Sequence, residues 1–335
     1  MALLGVIVMT FAGCETNPDW LSGNGGNGGN GGNSGNGGSS SSSVAKDGCL
    51  PGVFSVNVGT KVSFSMGNLL YLASEDRWAF APRQYQTVGG KYEGNIFHNK
   101  VKSNNELASE TYDGWIDSYA WGTGDRPWVR GGDVTEYTTY HEWGDNKISN
   151  GGNRTKQWRT LTMDEWYYLT NIRTDAQKKI GVCKLQNALY QASMDSYSDT
   201  YCVVLIPDTW TCPAGITFRS LYDLGYEWND NHGDGYWWGR DYHYDANVYT
   251  MNDFDKLEAS GVVFLVSCGR IDGSNPTRYI EFSDNGHYWS ASARQSAGSQ
   301  DPHAAAYFFD MRELWPTIAW SPNACLSVRL VKDVK

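Results

Sequence analysis

Two polar triplets share one pattern in the segment EWNDNHGDGYWWGRDYHYD, residues 227–245. Asp230, His232 and Asp234 spell D-x-H-x-D, and Asp241, His243 and Asp245 repeat it. In an extended chain alternate residues share a face, so each triplet would set two carboxylates around one imidazole. Such a set suits zinc or another transition metal, and with the imidazole aside the oxygens suit calcium. The plainer reading is a solvated acidic loop stiffened by tyrosines, and it takes precedence over a metal site.

Other chemistry-bearing patterns are incomplete. The first triplet has the look of an EF-hand opening, but His232 replaces an oxygen ligand and the twelfth position is Asp241 rather than Glu. Trp228–Asp230 spells the "WND" of calcium lectins, yet no "EPN" or "QPD" partner exists and the letters fall in an expected loop. His141 with Glu142 lacks the second histidine of a zincin helix, and no G-x-S-x-G elbow is present. His287 follows Gly286 in an expected turn, and His303 falls in a late loop.

Of the 335 residues 40% are hydrophobic and 14% aromatic, with 15 Trp and 21 Tyr, enough for a sizeable core. A net charge of −10 with no basic run argues against a nucleic-acid partner. The opening MALLGVIVMTFAGC is an apolar run too short to span a bilayer. It resembles a lipoprotein signal peptide (residues 1–14) in which Cys14 would carry the lipid, although Phe11 replaces the usual Leu and no Lys or Arg precedes the run. Residues 15–47 hold the GNGGNGGNGGNSGNGGSSSSS tract, which cannot bury apolar surface and reads as a disordered tether. Its span would be roughly 30 Å r.m.s.. Six further cysteines can pair in roughly 15 ways. Cys183 and Cys202 lie in two strand-like runs, IGVCKL and YCVVLIP, that would pair across a hairpin.

The remaining residues, 48–335, must position whatever the chain binds. FSVNVGTKVSFS reads as a hairpin around Gly59, and GNLLYLASEDRWAFAP as two short strands stopped by Pro82. Thr162 with Glu165, and Thr250 with Asp253, predict capped helix starts. Trp166 with Leu169, and Phe254 with Leu257, would face the core, and Gly261 would end the second helix. VVFLV, HYWSASA, AAAYFFDM and LSVRLV read as strands; in the last, Leu326, Val328 and Leu330 point one way and Ser327 and Arg329 the other, with LSVRLV closing the scaffold and Arg329 a structural candidate. The class expected is α+β, with two helices, mixed but mainly antiparallel sheets and long loops.

WRTLTMDEWYYLTNIRT, VVLIPDTW, DKLEASGVVFL, HYWSASA and LSVRLV, in this order, resemble a group of Bacteroidetes surface lipoproteins. Their domain is similar to the C-type lectin-like fold, in the branch of formylglycine-generating enzyme, and some relatives are targets of diversity-generating retroelements. That enzyme binds copper(I) through two close cysteines near its C-terminus, whereas here Cys325 stands far from Cys268 in sequence. The resemblance therefore implies binding rather than catalysis.

It also implies a variable ligand face from residues 293–303 and 311–323. Arg294, His303, Arg312, Glu313, Trp315 and Trp320 are the expected contacts, since aromatic and Arg side chains dominate hot spots. Pro316 and Pro322 are expected to keep the last two tryptophans in a loop. The partner would be a protein or glycan on another cell, phage or host surface. The chain would sit on the outer membrane through its lipid alone. A carbohydrate-capture alternative uses Trp237, Trp238 and Trp315 as stacking platforms, and a cofactor enters only as calcium or zinc at the D-x-H-x-D triplets.

Overall fold

A computed structural model describes residues 47–88, 108–129, 139–191, 196–229, 235–239, 243–271, 285–295, 302–310 and 312–335. All of them belong to one compact unit, Ser39–Lys335. The expected α+β class is observed: two α-helices and eighteen strands among the described residues, in four mostly antiparallel sheets.

The chain ends meet in the first sheet. β1 (Phe54–Asn57) and β2 (Thr60–Phe64) form the expected hairpin, with Gly59 at φ +74 in its turn. β18 (Leu330–Asp333) lies beside β2, and β7 (Arg159–Thr160) beside β18. Lys332 ion-pairs with Asp47 and closes the same corner. A three-stranded sheet has the order β4 (Arg77–Phe80), β3 (Leu69–Leu72), β5 (Trp115–Ile116). A third sheet runs β12 (Val248–Tyr249), β8 (Ile180–Gln191), β9 (Ser196–Leu205), β13 (Val263–Val266).

The largest sheet has seven strands. Its order is β10 (Glu227–Asn229), β11 (Tyr236–Trp238), β16 (Glu313–Trp320), β15 (Pro302–Phe309), β14 (Gly286–Gln295), β17 (Leu326–Ser327), β6 (Ser118–Tyr119). LSVRLV is therefore not one strand. It divides into β17 and β18, which belong to different sheets. Ser327 and Arg329 are buried like their apolar neighbours, where the chain crosses from the seven-stranded sheet to the first sheet and Asn68 and Gln84 accept from Arg329. Trp228 and Asn229 likewise lie in β10, not in a loop.

Both helices start as their caps dictate. In α1 (Met163–Tyr167) Thr162 accepts from the Glu165 amide, and the Glu165 carboxylate accepts in return from the Thr162 amide. The helix continues as a wider π turn over Tyr168–Ile172, where the Thr170 hydroxyl donates to the Trp166 carbonyl. Trp166 is fully buried and stacks on Tyr307 of β15, with ring centroids 4.9 Å apart. In α2 (Met251–Ala259) the Thr250–Asp253 box is also complete, and Phe254 and Leu257 are buried. Gly261 ends it at φ +91, so close to Gly52 that a Cβ on Gly52 would stand 2.2 Å from the Gly261 oxygen.

The edge strand β13 is paired by a side chain. Gln84, fully buried, accepts from the Phe264 amide (2.9 Å) and donates to the Val262 carbonyl (3.0 Å). These are two groups that a neighbouring strand would engage. Arg329, also fully buried, donates to the same Gln84 oxygen at 2.7 Å. Burial pushes the Arg329 guanidinium down to about 10, which leaves it charged at neutral pH.

Candidate functional site

The segment expected to be a proline-bound loop is a strand. β16 pairs with β15 on one side and β11 on the other. Pro316 is accommodated by a bulge: Trp315 faces Phe308 and Ile318 faces Ala306, so two residues of β16 stand against one of β15. A bulge leaves an amide out of the ladder, and proline has none to offer. The β15–β16 turn is held by Asp310, whose carboxylate accepts from the Arg312 and Glu313 amides, both at 2.8 Å. Arg312 is exposed at this tip, and its carbonyl accepts from Gly239 beyond β11.

The pleat then sorts the expected contact residues onto two faces. Residues facing one another across a ladder share a face, and neighbours along a strand alternate. His303 faces Arg294, on the same side as Tyr307 and thus on the side covered by α1. The Arg294 guanidinium reaches the Thr317 carbonyl at 3.0 Å, and burial lowers its pKa. Trp315, Ile318 and Trp320 project to the other side, with Phe308, Ala306 and Ala304 between them and His287. Glu313 belongs to that side as well, accepting from Trp315 Nε1 at 2.9 Å. Glu313, Trp315 and Trp320 thus gather along β16, with Arg312 at the tip before it, and Arg294 and His303 lie behind them.

The Trp315–Trp320 side forms a row of rings. Tyr236 of β11 stacks on Trp315 with centroids 4.0 Å apart and planes 10° from parallel. Phe308 packs on His287 at 4.7 Å, and His287 on Trp320 at 5.1 Å. Arg270 lies over the Trp320 ring, 4.4 Å from its centroid. Offset stacking and cation–π contacts of this kind contribute about 0.5–2 kcal/mol each. They hold the indoles in one orientation while Trp315, Ile318 and Trp320 stay only half-buried.

His287 is not in a turn. It is a fully buried residue of β14, held down to about pH 3 by burial and by the nearby Arg270 charge. It is neutral at physiological pH, so its Nε2 accepts from the Arg270 guanidinium at 3.4 Å. Arg270, His287, Phe308 and Tyr236 had no signal in the sequence as site residues. Their membership follows from sheet register, which local patterning does not encode.

The remaining expectations divide. Trp237 is buried in the main core facing Leu314, so it offers no sugar platform, whereas the adjacent Trp238 is half-buried beside Glu313. Trp115 and Trp121 are buried, as are Trp166 and Trp289. Of the D-x-H-x-D residues, Asp230, His232, Asp234 and Asp241 lie outside the described residues. His243 precedes a short 3-10 turn with its ring 5.2 Å from Tyr226, and Asp245 ion-pairs with Lys184. Among the described residues no three His, Cys, Asp or Glu side chains converge as a metal set. Cys268 is buried with its thiol toward the His287 carbonyl, and burial pushes it up to about 11. No described helix is long and apolar enough to cross a membrane. Comparison of the chain with protein-family models, curated proteins and solved structures found no match.

Proposed function

We propose that this chain is a surface-displayed, ligand-binding lipoprotein, anchored in the outer membrane through Cys14 and carrying a C-type lectin-like domain. The observation that carries the reading is the row of rings along β16 in which Trp315 and Trp320 stay half-buried, in the part of the chain where the lectin-like proteins it resembles carry their variable face. Trp315 and Trp320 present pre-oriented aromatic surface, with Arg312 at the adjoining turn tip, and rigid anchors lose little entropy on binding. The proposal includes diversification of this segment by a retroelement. A reverse-transcriptase gene beside the coding sequence, with a template repeat of the 290–330 segment differing at adenines, is the expected finding. A neighbourhood without either removes that part.

Carbohydrate capture is the second reading, favoured by Trp238 and Trp315 on the same side of the sheet. Glycan-array binding abolished in Trp315→Ala and insensitive to chelator would support stacking recognition of sugars, whereas chelator sensitivity would direct attention to the D-x-H-x-D triplets. A formylglycine-generating-type activity is not proposed, because Cys325 lacks the closely spaced second cysteine of that enzyme, the nearest upstream one being Cys268. Turnover of a cysteine-containing peptide with copper would reverse that view. Binding of a selected protein ligand that survives both Trp315→Ala and Trp320→Ala would sink the assignment of the face itself.

A further inference from the structure

Cys183 on β8 and Cys202 on β9 are direct cross-strand partners, and both are fully buried in the third sheet. The phase of the ladder can be read from its ends. The Ile206 amide donates to the Lys179 carbonyl at 2.8 Å, so Lys179 and Ile206 face each other through their backbone groups, and every second pair inward does the same. Gly181 with Val204 is the next such pair and Cys183 with Cys202 the one after. The flanking groups agree: Lys184 N–H turns away to the Asn247 carbonyl, and Ser267, just past β13, donates to the Tyr201 carbonyl. A backbone-bonded antiparallel pair sets its Cα atoms about 5.5 Å apart, inside the range of about 4.4–6.8 Å that a disulfide spans, and its Cβ atoms, also about 5.5 Å apart, draw in to about 3.8 Å as the bond closes. After burial, the neighbouring Cys202 thiol is what holds the Cys183 thiol up.

The other cysteines have different neighbours across their ladders. Cys49 bridges to Ser65, Cys325 to Ile271, and the Cys268 thiol turns to the His287 carbonyl. The Cys212 thiol is directed at the Ile216 carbonyl. The ladder therefore selects one pairing from the connectivities that the sequence leaves open.

We propose that Cys183 and Cys202 form a disulfide whenever the chain folds in a thiol-oxidising environment. The reaction is exchange with an external disulfide, either a low-molecular-weight one or that of an oxidoreductase. One cysteine thiolate attacks a sulfur of R–S–S–R′ and releases R′–S⁻, and the second thiolate then displaces R–S⁻ as the protein S–S bond closes. Two protein thiols are oxidised, one external disulfide is reduced to two thiols, and the two protons end on those thiols or in solvent. The step belongs to folding, before β8 and β9 are covered, because burial then raises the Cys183 thiol well above its ordinary range and shields the bond.

The test is refolding of the full chain in a glutathione redox buffer, followed by denaturing alkylation and non-reducing peptide mapping. The inference expects one cross-linked peptide pair carrying Cys183 and Cys202. It also expects a melting temperature that falls by roughly 5 °C on reduction, for a cross-link closing a loop of this length in a domain of this size. Cys183→Ala and Cys202→Ala should each lose the cross-linked peptide and the reductant-dependent shift attached to it. Alkylation of both cysteines in the refolded protein, or linkage of either to another cysteine, overturns the proposal. The outcome is independent of Cys14 and of surface display, which lipid labelling in cells examines separately.

Discussion

Replacing Gln84 by methionine keeps the volume of the side chain and deletes its polar contacts to Phe264, Val262 and Arg329, along with its interaction with Glu258. The Phe264 amide and the Val262 carbonyl on β13 would each lose a partner, at about 1–3 kcal/mol for a buried group. Arg329 would lose its 2.7 Å bond, a charge-assisted contact of about 1.5–3 kcal/mol. Local relaxation recovers part of the sum, so the expected destabilisation is about 4 kcal/mol, a large share of the ~5–15 kcal/mol that stabilises an ordinary domain. With a urea slope of about 3 kcal/mol/M, the unfolding midpoint followed by tryptophan fluorescence should fall by about 1.3 M. Gln84→Glu is the informative comparison. It keeps acceptors for Phe264 and Arg329, but it loses the donor to Val262 and sets a new carboxylate beside buried Glu258, so its midpoint should fall as well, and by less at low pH where the carboxyls are protonated. Amide exchange at Phe264 should accelerate in Gln84→Met. A Gln84→Met midpoint within about 0.3 M of the parent, at unchanged slope, would refute the idea that this one side chain completes the edge of the sheet.

Thr162→Ala should lower stability by about 1 kcal/mol through loss of the α1 capping box, with Thr162→Ser restoring most of it in the same denaturation series. Gly52→Ala should cost ~2 kcal/mol or more, because the new methyl meets the Gly261 carbonyl at 2.2 Å and two backbones would have to part. Asp208 accepts from Ser55 and from the buried Arg173 guanidinium, and its pKa lies below the ordinary carboxylate value. Its folded pKa being the lower one, its contribution is complete above the unfolded value of about 4 and is lost as pH falls through the folded value. Asp208→Asn should therefore flatten the acid limb of a stability-versus-pH profile, and an unchanged limb would assign acid sensitivity to other carboxylates.

Local rules made much of the scaffold legible. A hydroxyl three residues before a carboxylate marks both helix starts, and Gly59 and Gly261 mark a turn and a helix end because each takes positive φ. Where the reading failed, a nonlocal term decided. Pro316 looked like a loop signal because proline breaks a ladder, yet a single bulge on β16 absorbs it. LSVRLV alternates as a strand should, but Arg329 is buried, its guanidinium met by the Gln84 and Asn68 oxygens and by the charge of Glu258, all from remote parts of the chain, which offset part of the cost of burial. Nothing within six letters could have announced those partners.

The ring-bearing face of β16 follows the same rule. Trp315 and Trp320 are separated by an odd number of positions, so an unbroken strand would place them on opposite sides. The bulge at Pro316 adds one residue, restores a common side, and brings both indoles into the row with Tyr236, His287 and Arg270. Proline, first read as the residue that keeps the tryptophans out of the sheet, is accommodated by the feature that aligns them within it. An insertion or deletion of one residue between positions 315 and 320 would therefore disrupt the face more than substitution of either tryptophan, since it turns one ring toward α1. Variation tolerated by such a surface should accordingly be substitution at half-buried positions of β16 rather than change in its length.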